Sequence, residues 1–279
     1  MKFLLIHTLI LFSVFTLGCD IIAPPFVKNA TINPTPEKVQ RKILLEEYTG
    51  HYCTFCPKGH AEAGRLKSIY GDKLITVAIH ANEQYAKPLL PDYPDDFRTV
   101  YGNQLYTDFQ SPGQPAGVIN RKKANDSTVS YSKSYWAELV SREDSLTADI
   151  SIKPTCTFNA TTKEITLNVD IQFIKDLPQN TNLIVYILED SVKAPQLNNS
   201  IRVPDYIHRD MLRDMPLGAY GQQITFTPSK SETTVSKNIK YSFANKNWDI
   251  SQCKIVIAVA VNNGLYKDIL QVEELRVIQ

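Results

Sequence analysis

Residues 41–70 read RKILLEEYTGHYCTFCPKGHAEAGRLKSIY. A short apolar run, Ile43-Leu44-Leu45, leads through Glu46, Glu47 and Tyr48 into a small-residue turn at Thr49-Gly50. Cys53-Thr54-Phe55-Cys56 follows, and then a polar segment, bearing Ala and Lys, with helical spacing. Strand, turn, Cys-x-x-Cys and helix in that order are the setting in which two cysteines read as a redox pair. Unpaired N–H groups and the positive end of the helix dipole favour a thiolate at a helix start. Pro57 suits the first helical position, which predicts a regular helix from about Cys56 with Cys53 on the turn before it. Cys53 is then expected to be the exposed nucleophile, and Cys56 the resolving thiol that attacks the mixed disulfide.

Downstream, Lys73–His80 (KLITVAIH) has the pattern of a buried strand. Residues 81–110 read as a helical insertion, with a Pro- and Asp-rich loop and a helix through Phe97, Tyr101, Leu105 and Phe109. Asp92, Asp95 and Asp96 in that loop read as solvated residues and helix caps rather than a cation site. Pro115 stands directly before a strand, Ala116–Asn120, and is a candidate for a cis peptide. An amphipathic segment, Tyr131–Arg142, closes this first region.

From Leu146 the pattern changes. Glu164–Phe173 alternates cleanly, with Ile165, Leu167, Val169, Ile171 and Phe173 on one face. Strand-like runs follow at 182–189, 223–227, 235–243, 254–261 and 270–277, which predict an antiparallel β-sandwich. Residues 190–221 read as a long loop carrying Tyr206, His208, Arg209 and Arg213, packed at the surface by its own aromatics.

The chain has 279 residues, enough for two domains. Its 30 basic and 29 acidic residues leave a net charge of +1, which gives no electrostatic reason to propose nucleic acid. Lys2 followed by the apolar run Phe3–Leu17 has signal-peptide anatomy. Residues 20–40, rich in proline, read as a tether. Of five cysteines, Cys19 falls at the end of the leader. Two others, Cys156 and Cys253, either form a structural bridge or remain buried free thiols. Cys53, Cys56 and His60 have tolerable ligand spacing, but nothing completes a tetrahedral set, so no metal is expected. Haem attachment is excluded because Pro57, not histidine, follows Cys56. His51 reads either as a cationic neighbour favouring the Cys53 thiolate or as a solvated turn residue.

Several of these stretches carry resemblances. Thr16-Leu17-Gly18-Cys19 resembles a lipoprotein lipobox, which implies that Cys19, at the end of the lipoprotein signal peptide placed at 1–19, becomes the lipidated first residue. The order βα, β, helical insertion, proline-strand and helix, over 41–145, resembles the thioredoxin fold. That likeness implies a cis-proline role for Pro115 and a backbone contact to substrate from Gln114. It implies proton transfer for the resolving cysteine by Glu47, and substrate contacts from Tyr52 and Phe55 beside the pair. Cys156 and Cys253 would bridge the sheets of an immunoglobulin-like sandwich over 146–279. Lipobox, LLEEYTGHYCTFCP, Gln-Pro-Ala-Gly-Val-Ile-Asn-Arg and the Tyr-x-His loop together resemble the twenty-eight-kilodalton outer-membrane lipoprotein family.

The expected fold is therefore an α/β thioredoxin-like domain followed by an all-β immunoglobulin-like sandwich. The expected function is a membrane-tethered thiol–disulfide oxidoreductase of the cell envelope, held at the outer membrane by its lipid anchor. Its partners would be protein or peptide thiols and disulfides and a thiol-donating redox protein, with no cofactor. The alternative is an outer-membrane binding or adhesion lipoprotein in which the pair is a static disulfide.

Overall fold

Strand β1 (Ile43–Thr49) is buried along its whole length, as an apolar run covered on both faces must be. Around it the computed structural model describes residues 39–124, 128–225 and 229–278. The expected leader, the lipidation position Cys19 and the tether up to residue 38 lie outside the described residues. No helix among the described residues is long and apolar enough to cross a membrane.

In chain order the elements after β1 are α1 (Cys56–Tyr70), β2 (Leu74–His80), α2 (Glu83–Ala86), α3 (Val100–Asp108), β3 (Ala116–Ile119), β4 (Ser130–Ser132) and α4 (Trp136–Asp144). Then come β5 (Ile150–Asn159), β6 (Glu164–Phe173), β7 (Thr181–Glu189), β8 (Val192–Asn198), β9 (Ile201–His208), β10 (Met211–Asp214) and β11 (Gln222–Gln223). The last strands are β12 (Thr234–Ser242), β13 (Cys253–Val261) and β14 (Ile269–Arg276). Helix α1 starts where Pro57 permits and stops at Gly71, whose φ of 56° is open to glycine.

The expected fold class is corrected by the sheet. One mixed sheet runs β14-β13-β7-β10-β2-β1-β3-β4, with β11 beside β7. It is continuous across residue 145, so the chain is a mostly β structure rather than a thioredoxin-like α/β domain followed by an immunoglobulin-like sandwich. The join is β10, which pairs parallel with β2 at Met211–Ala78 and antiparallel with β7.

The physical reason lies in β7 and β13. A sandwich strand buries one face and wets the other. Thr181–Glu189 is buried at every position, and Cys253–Val261 nearly so. Leu183, Val185 and Ile187 pack against Ile165, Leu167, Val169 and Ile171 of the separate β12-β6-β5 sheet. Ile184, Tyr186 and Leu188 face the other way, into a core shared with Leu44, Tyr48, Val77 and Ile79 of β1 and β2. Helices α1 and α4 cover the remaining face of β1 through Leu66, Trp136 and Val140.

That shared core contains an ion pair with no exposure on either side chain. Arg121 Nη2 lies 2.7 Å from Glu46 Oε1, and Arg121 Nε 2.9 Å from Glu46 Oε2. Arg121 also donates to the Ala219 carbonyl, and the Tyr186 hydroxyl bonds both partners. Burial opposes the guanidinium charge, but Glu46 and the surrounding phenols push its pKa up.

Two further expectations are corrected. Residues 190–221 are not an irregular loop: they fold into the β8–β9 hairpin, β10 and the start of the β11 approach. Cys156 and Cys253 are free thiols, not a bridge. They sit in different sheets, Cys156 opposite Leu167 and Cys253 opposite Glu189, and the Cys253 thiol donates to the Asp249 carbonyl. Helix α3 is capped by the Thr99 hydroxyl, which accepts from Gly102 N–H, while Asp96 pairs with Arg98.

Removing the negative member of the buried pair should leave a charge with nothing to compensate it. Glu46→Gln is expected to lower the unfolding free energy by about 3–5 kcal/mol. Urea titration of both proteins measures this; a loss below about 1 kcal/mol would contradict the role given to the pair.

Candidate active site around the Cys53–Cys56 pair

The turn between β1 and α1 carries the two cysteines because it is pinned from both sides. Gly50 permits the first contact. A Cβ there would lie 2.3 Å from the Tyr85 carbonyl oxygen, and that carbonyl accepts from Tyr52 N–H at 2.9 Å. Cys53 and Cys56 form a disulfide with Cα atoms 5.4 Å apart.

The second set of contacts comes from the β8–β9 hairpin. Leu197 N–H donates to the His51 carbonyl, Asn199 N–H to the Thr54 carbonyl, and Ser200 N–H to the Thr54 hydroxyl. Gln196, fully buried, donates through Nε2 to the carbonyls of Gly50 and Cys53, 3.2 Å each. Cys53 is consequently only 2% exposed, so the expectation of an exposed nucleophile is corrected. The apolar surface beside the pair is instead Tyr52 and Phe55, at 42% and 55% exposure. Tyr52 packs edge-on against Tyr93, and Lys58 lies over the Phe55 ring.

Pro115 follows a cis peptide from Gln114. Gly59, one turn into α1 beyond Cys56, brings the proline and Glu47 together. A Cβ on Gly59 would lie 2.6 Å from Glu47 Oε1 and 2.7 Å from Pro115 Cβ, so the helix can approach both only without a side chain. The Gln114 side chain turns inward and donates to the Ala81 carbonyl. The structure thus gathers Glu47, Cys53, Cys56 and Pro115 around one end of α1, with Tyr52 and Phe55 at the rim. Cys156 and Cys253 lie elsewhere.

Glu47 is buried, and its Oε1 has no hydrogen-bond partner among the described residues. Burial, and next the nearby Asp210 charge, push its carboxyl well above the usual carboxylate range. His60 stands beside it, with Nε2 3.6 Å from Glu47 Oε1 and 2.9 Å from the Thr49 hydroxyl, and Nδ1 2.6 Å from the Tyr206 hydroxyl. Sequence reading raised His60 only as a metal ligand; no metal-binding group of three occurs among the described residues. The long-range contact to Tyr206 has no sequence signal.

The other histidines among the described residues, His51, His80 and His208, are buried. His80 and His208 rings meet edge to face at 5.2 Å, and Phe97 packs on both. His51 stacks on Tyr93 and reaches the Lys87 carbonyl. Burial lowers its pKa, so it is neither the cationic neighbour nor the solvated turn residue expected. His208 is likewise interior rather than part of a surface loop.

These histidines are expected to make the fold acid-sensitive. Burial depresses His208 to about 4 and His60 to about 3, and lowers His80 and His51 as well. In the unfolded chain each takes a proton near pH 6.5, so stability is full above that pH and falls as the pH drops through the window down to about 3. Glu47, shifted upward, acts in the opposite sense. The thermal unfolding midpoint is expected to be lower at pH 5 than at pH 7, and His208→Leu is expected to flatten that slope. A midpoint that does not fall on acidification would contradict this reading.

The fold has solved counterparts. HBP35 of Porphyromonas gingivalis is similar at a TM-score of 0.67 and 16% identity, over 86% of this chain and 76% of that one. Protein AGR_C_4864 from Agrobacterium tumefaciens is similar at a TM-score of 0.54 and 11% identity, over 87% of this chain and 97% of that one. At such identities the likeness is one of fold. No curated protein matches the sequence. Residues 102–279, well over half of the chain, match the family model described as outer membrane protein Omp28; Pro115 lies inside the match and the cysteine pair before it. The chain therefore belongs to the Omp28 family of outer membrane proteins.

Proposed function

We propose that this outer membrane protein is a thiol–disulfide oxidoreductase acting through Cys53 and Cys56, tethered by a lipid on Cys19. The observation that carries the proposal is the convergence on one helix start of the paired Cys53 and Cys56, Pro115 and the buried Glu47, whose Oε1 has no hydrogen-bond partner among the described residues. A buried carboxyl with an unbonded oxygen costs stability, and a raised pKa near a thiol pair suits a proton acceptor. The reading assigns nucleophilic attack to Cys53, resolution to Cys56 and proton transfer to Glu47. Pro115, with Gln114 before it, would align the substrate chain against the pair, and Tyr52 and Phe55 offer apolar contact. Substrates would be protein or peptide disulfides, and the reducing equivalents would come from a thiol-bearing partner.

The hairpin seal favours a second reading, a binding or adhesion lipoprotein in which the disulfide is static. The reduction potential separates the two. Equilibration with glutathione and mass-tagging of thiols is expected to give roughly −270 to −120 mV, the range of working oxidoreductases. A value below about −300 mV would mark a structural disulfide and sink the exchange reading. Insulin reduction, coupled to dithiothreitol, is expected to vanish in Cys53→Ser; an active variant would contradict the nucleophile assigned.

The seal itself is testable. Gln196→Ala removes two hydrogen bonds from the Cys53 turn, and net values of about 0.5–1.5 kcal/mol per bond, about 1–3 kcal/mol together, predict roughly five- to 150-fold faster reduction by dithiothreitol. An unchanged rate would mean that the hairpin does not limit access to the pair.

A further inference from the structure

A partly open cavity of about 260 Å³ lies between α1, β2 and the end of β9. The side of α1 that lines it carries His60, Ala63, Gly64 and Lys67, the i, i+3, i+4, i+7 spacing of one helix face. Ala78 of β2 and Ile207 of β9 stand among the other walls. Glu47 of β1 lines the His60 end, with its Oε1 3.6 Å from the His60 ring. Lys67 follows His60 by two turns of helix, a rise of about 10 Å.

The charges on these walls are matched, with two exceptions. Lys254 pairs with Asp210 at 2.6 Å, and Arg209 with Asp190 at 3.4 Å. Glu47 is the first exception. It is buried, its Oε1 has no hydrogen-bond partner, and no Lys or Arg among the described residues forms an ion pair with it. His60 is no counterion at ordinary pH, because burial, with His208 nearby, depresses it to about 3. Burial and the Asp210 charge both disfavour the Glu47 carboxylate, and a cation set against it would offset them. Lys67 is the second exception. It donates to the Leu74 carbonyl at 2.6 Å, and among the described residues no carboxylate pairs with it. An ammonium has further donors, which a carboxylate takes up in short, charge-assisted bonds.

Gly64 keeps the space between these two ends open. A Cβ there would meet nothing within 4 Å, so no neighbour requires a glycine, although glycine inside a helix is a weaker helix former than alanine. Ala63, Ala78 and Ile207 add a small apolar lining. The volume is that of roughly eight waters, which suits a short chain of about as many non-hydrogen atoms.

We propose that this cavity is a binding site for a short linear zwitterion, whose ammonium lies against Glu47, whose carboxylate lies against Lys67 and whose methylene chain crosses Gly64. The unmatched acid and the unmatched base then each gain a partner from one ligand, while Lys254–Asp210 and Arg209–Asp190 stay paired. The site does not rest on the exchange reading, and failure of either leaves the other standing.

Equilibrium dialysis of the full chain against radiolabelled 6-aminohexanoate tests the site. Saturable binding is expected, half complete at about 1 mM or below. Hexanoate, which lacks the ammonium, and hexylamine, which lacks the carboxylate, are each expected to compete roughly tenfold or more weakly. Glu47→Gln and Lys67→Met are expected to weaken binding by roughly tenfold or more. Gly64→Leu, which favours the helix and places a side chain in the open space, is expected to block it, and it serves with Lys67→Met if Glu47→Gln does not fold. Absence of saturable binding to the wild-type chain would overturn the site. Competition by hexanoate or hexylamine as strong as by 6-aminohexanoate would overturn the zwitterion. Wild-type binding in folded Lys67→Met or Gly64→Leu, with folding checked by circular dichroism, would overturn the placement in this cavity.

Discussion

The structure depends on a charge taken out of water. Arg121 follows β3 and Glu46 lies on β1, yet their closest companions are Tyr186 on β7 and the Ala219 carbonyl, from the far half of the chain. A buried ion pair is weak evidence of stabilisation, because desolvation offsets much of its attraction. It does exclude alternatives. With β7 moved away, the guanidinium would lose the Tyr186 hydroxyl and the pair would face a wetter or emptier environment. The pair therefore makes one arrangement of β1 against β7 much better than its neighbours, and the shared core of Leu44, Tyr48, Ile184 and Leu188 follows from it.

The same joining of halves builds the candidate site. The cysteine turn comes from β1 and α1, but its carbonyls are met by the β8–β9 hairpin, and the His60 ring by Tyr206. A Cys-x-x-Cys alone would present its first sulfur to solvent. Here that sulfur lies beneath an element whose β9 residues are mostly exposed and which shares little of the central core. Local opening draws on such weakly packed units, so access to the pair and integrity of the sheet are separable.

Much of the first half was legible in the sequence. The apolar run at Ile43–Leu45, the small-residue turn, Pro57 at the helix start and the proline before Ala116 are local signals, and β1, α1 and β3 sit where they point. Glu47 stood out only through a resemblance. The unbroken apolar run Leu183–Leu188 carried the information that β7 is covered on both faces, but the regular spacing of the strand-like runs points toward a one-sided sandwich. The hairpin was hidden by its prolines. Pro195 and Pro204 weaken a strand pattern, and the structure accommodates the first with a register shift between Ala194 and Gln196. The Asn199-Ser200 turn, both residues at positive φ, was the signal that remained. Arg121 with Glu46, and His60 with Tyr206, are partners separated by most of a domain's length, and nothing local marks them.

The place of β10 in the sheet has a consequence for how the protein is made. During synthesis and export the amino-terminal half emerges first, and β2 then presents an unpaired edge with β1 already available beside it. That edge is closed only when Met211 reaches Ala78, after most of the chain has followed. Until then an apolar strand edge and an uncompensated part of the core are open to other chains. Assembly of this protein is accordingly a race between completion of its own sheet and capture by a neighbour, and chaperones of the export route would be needed longest at β2.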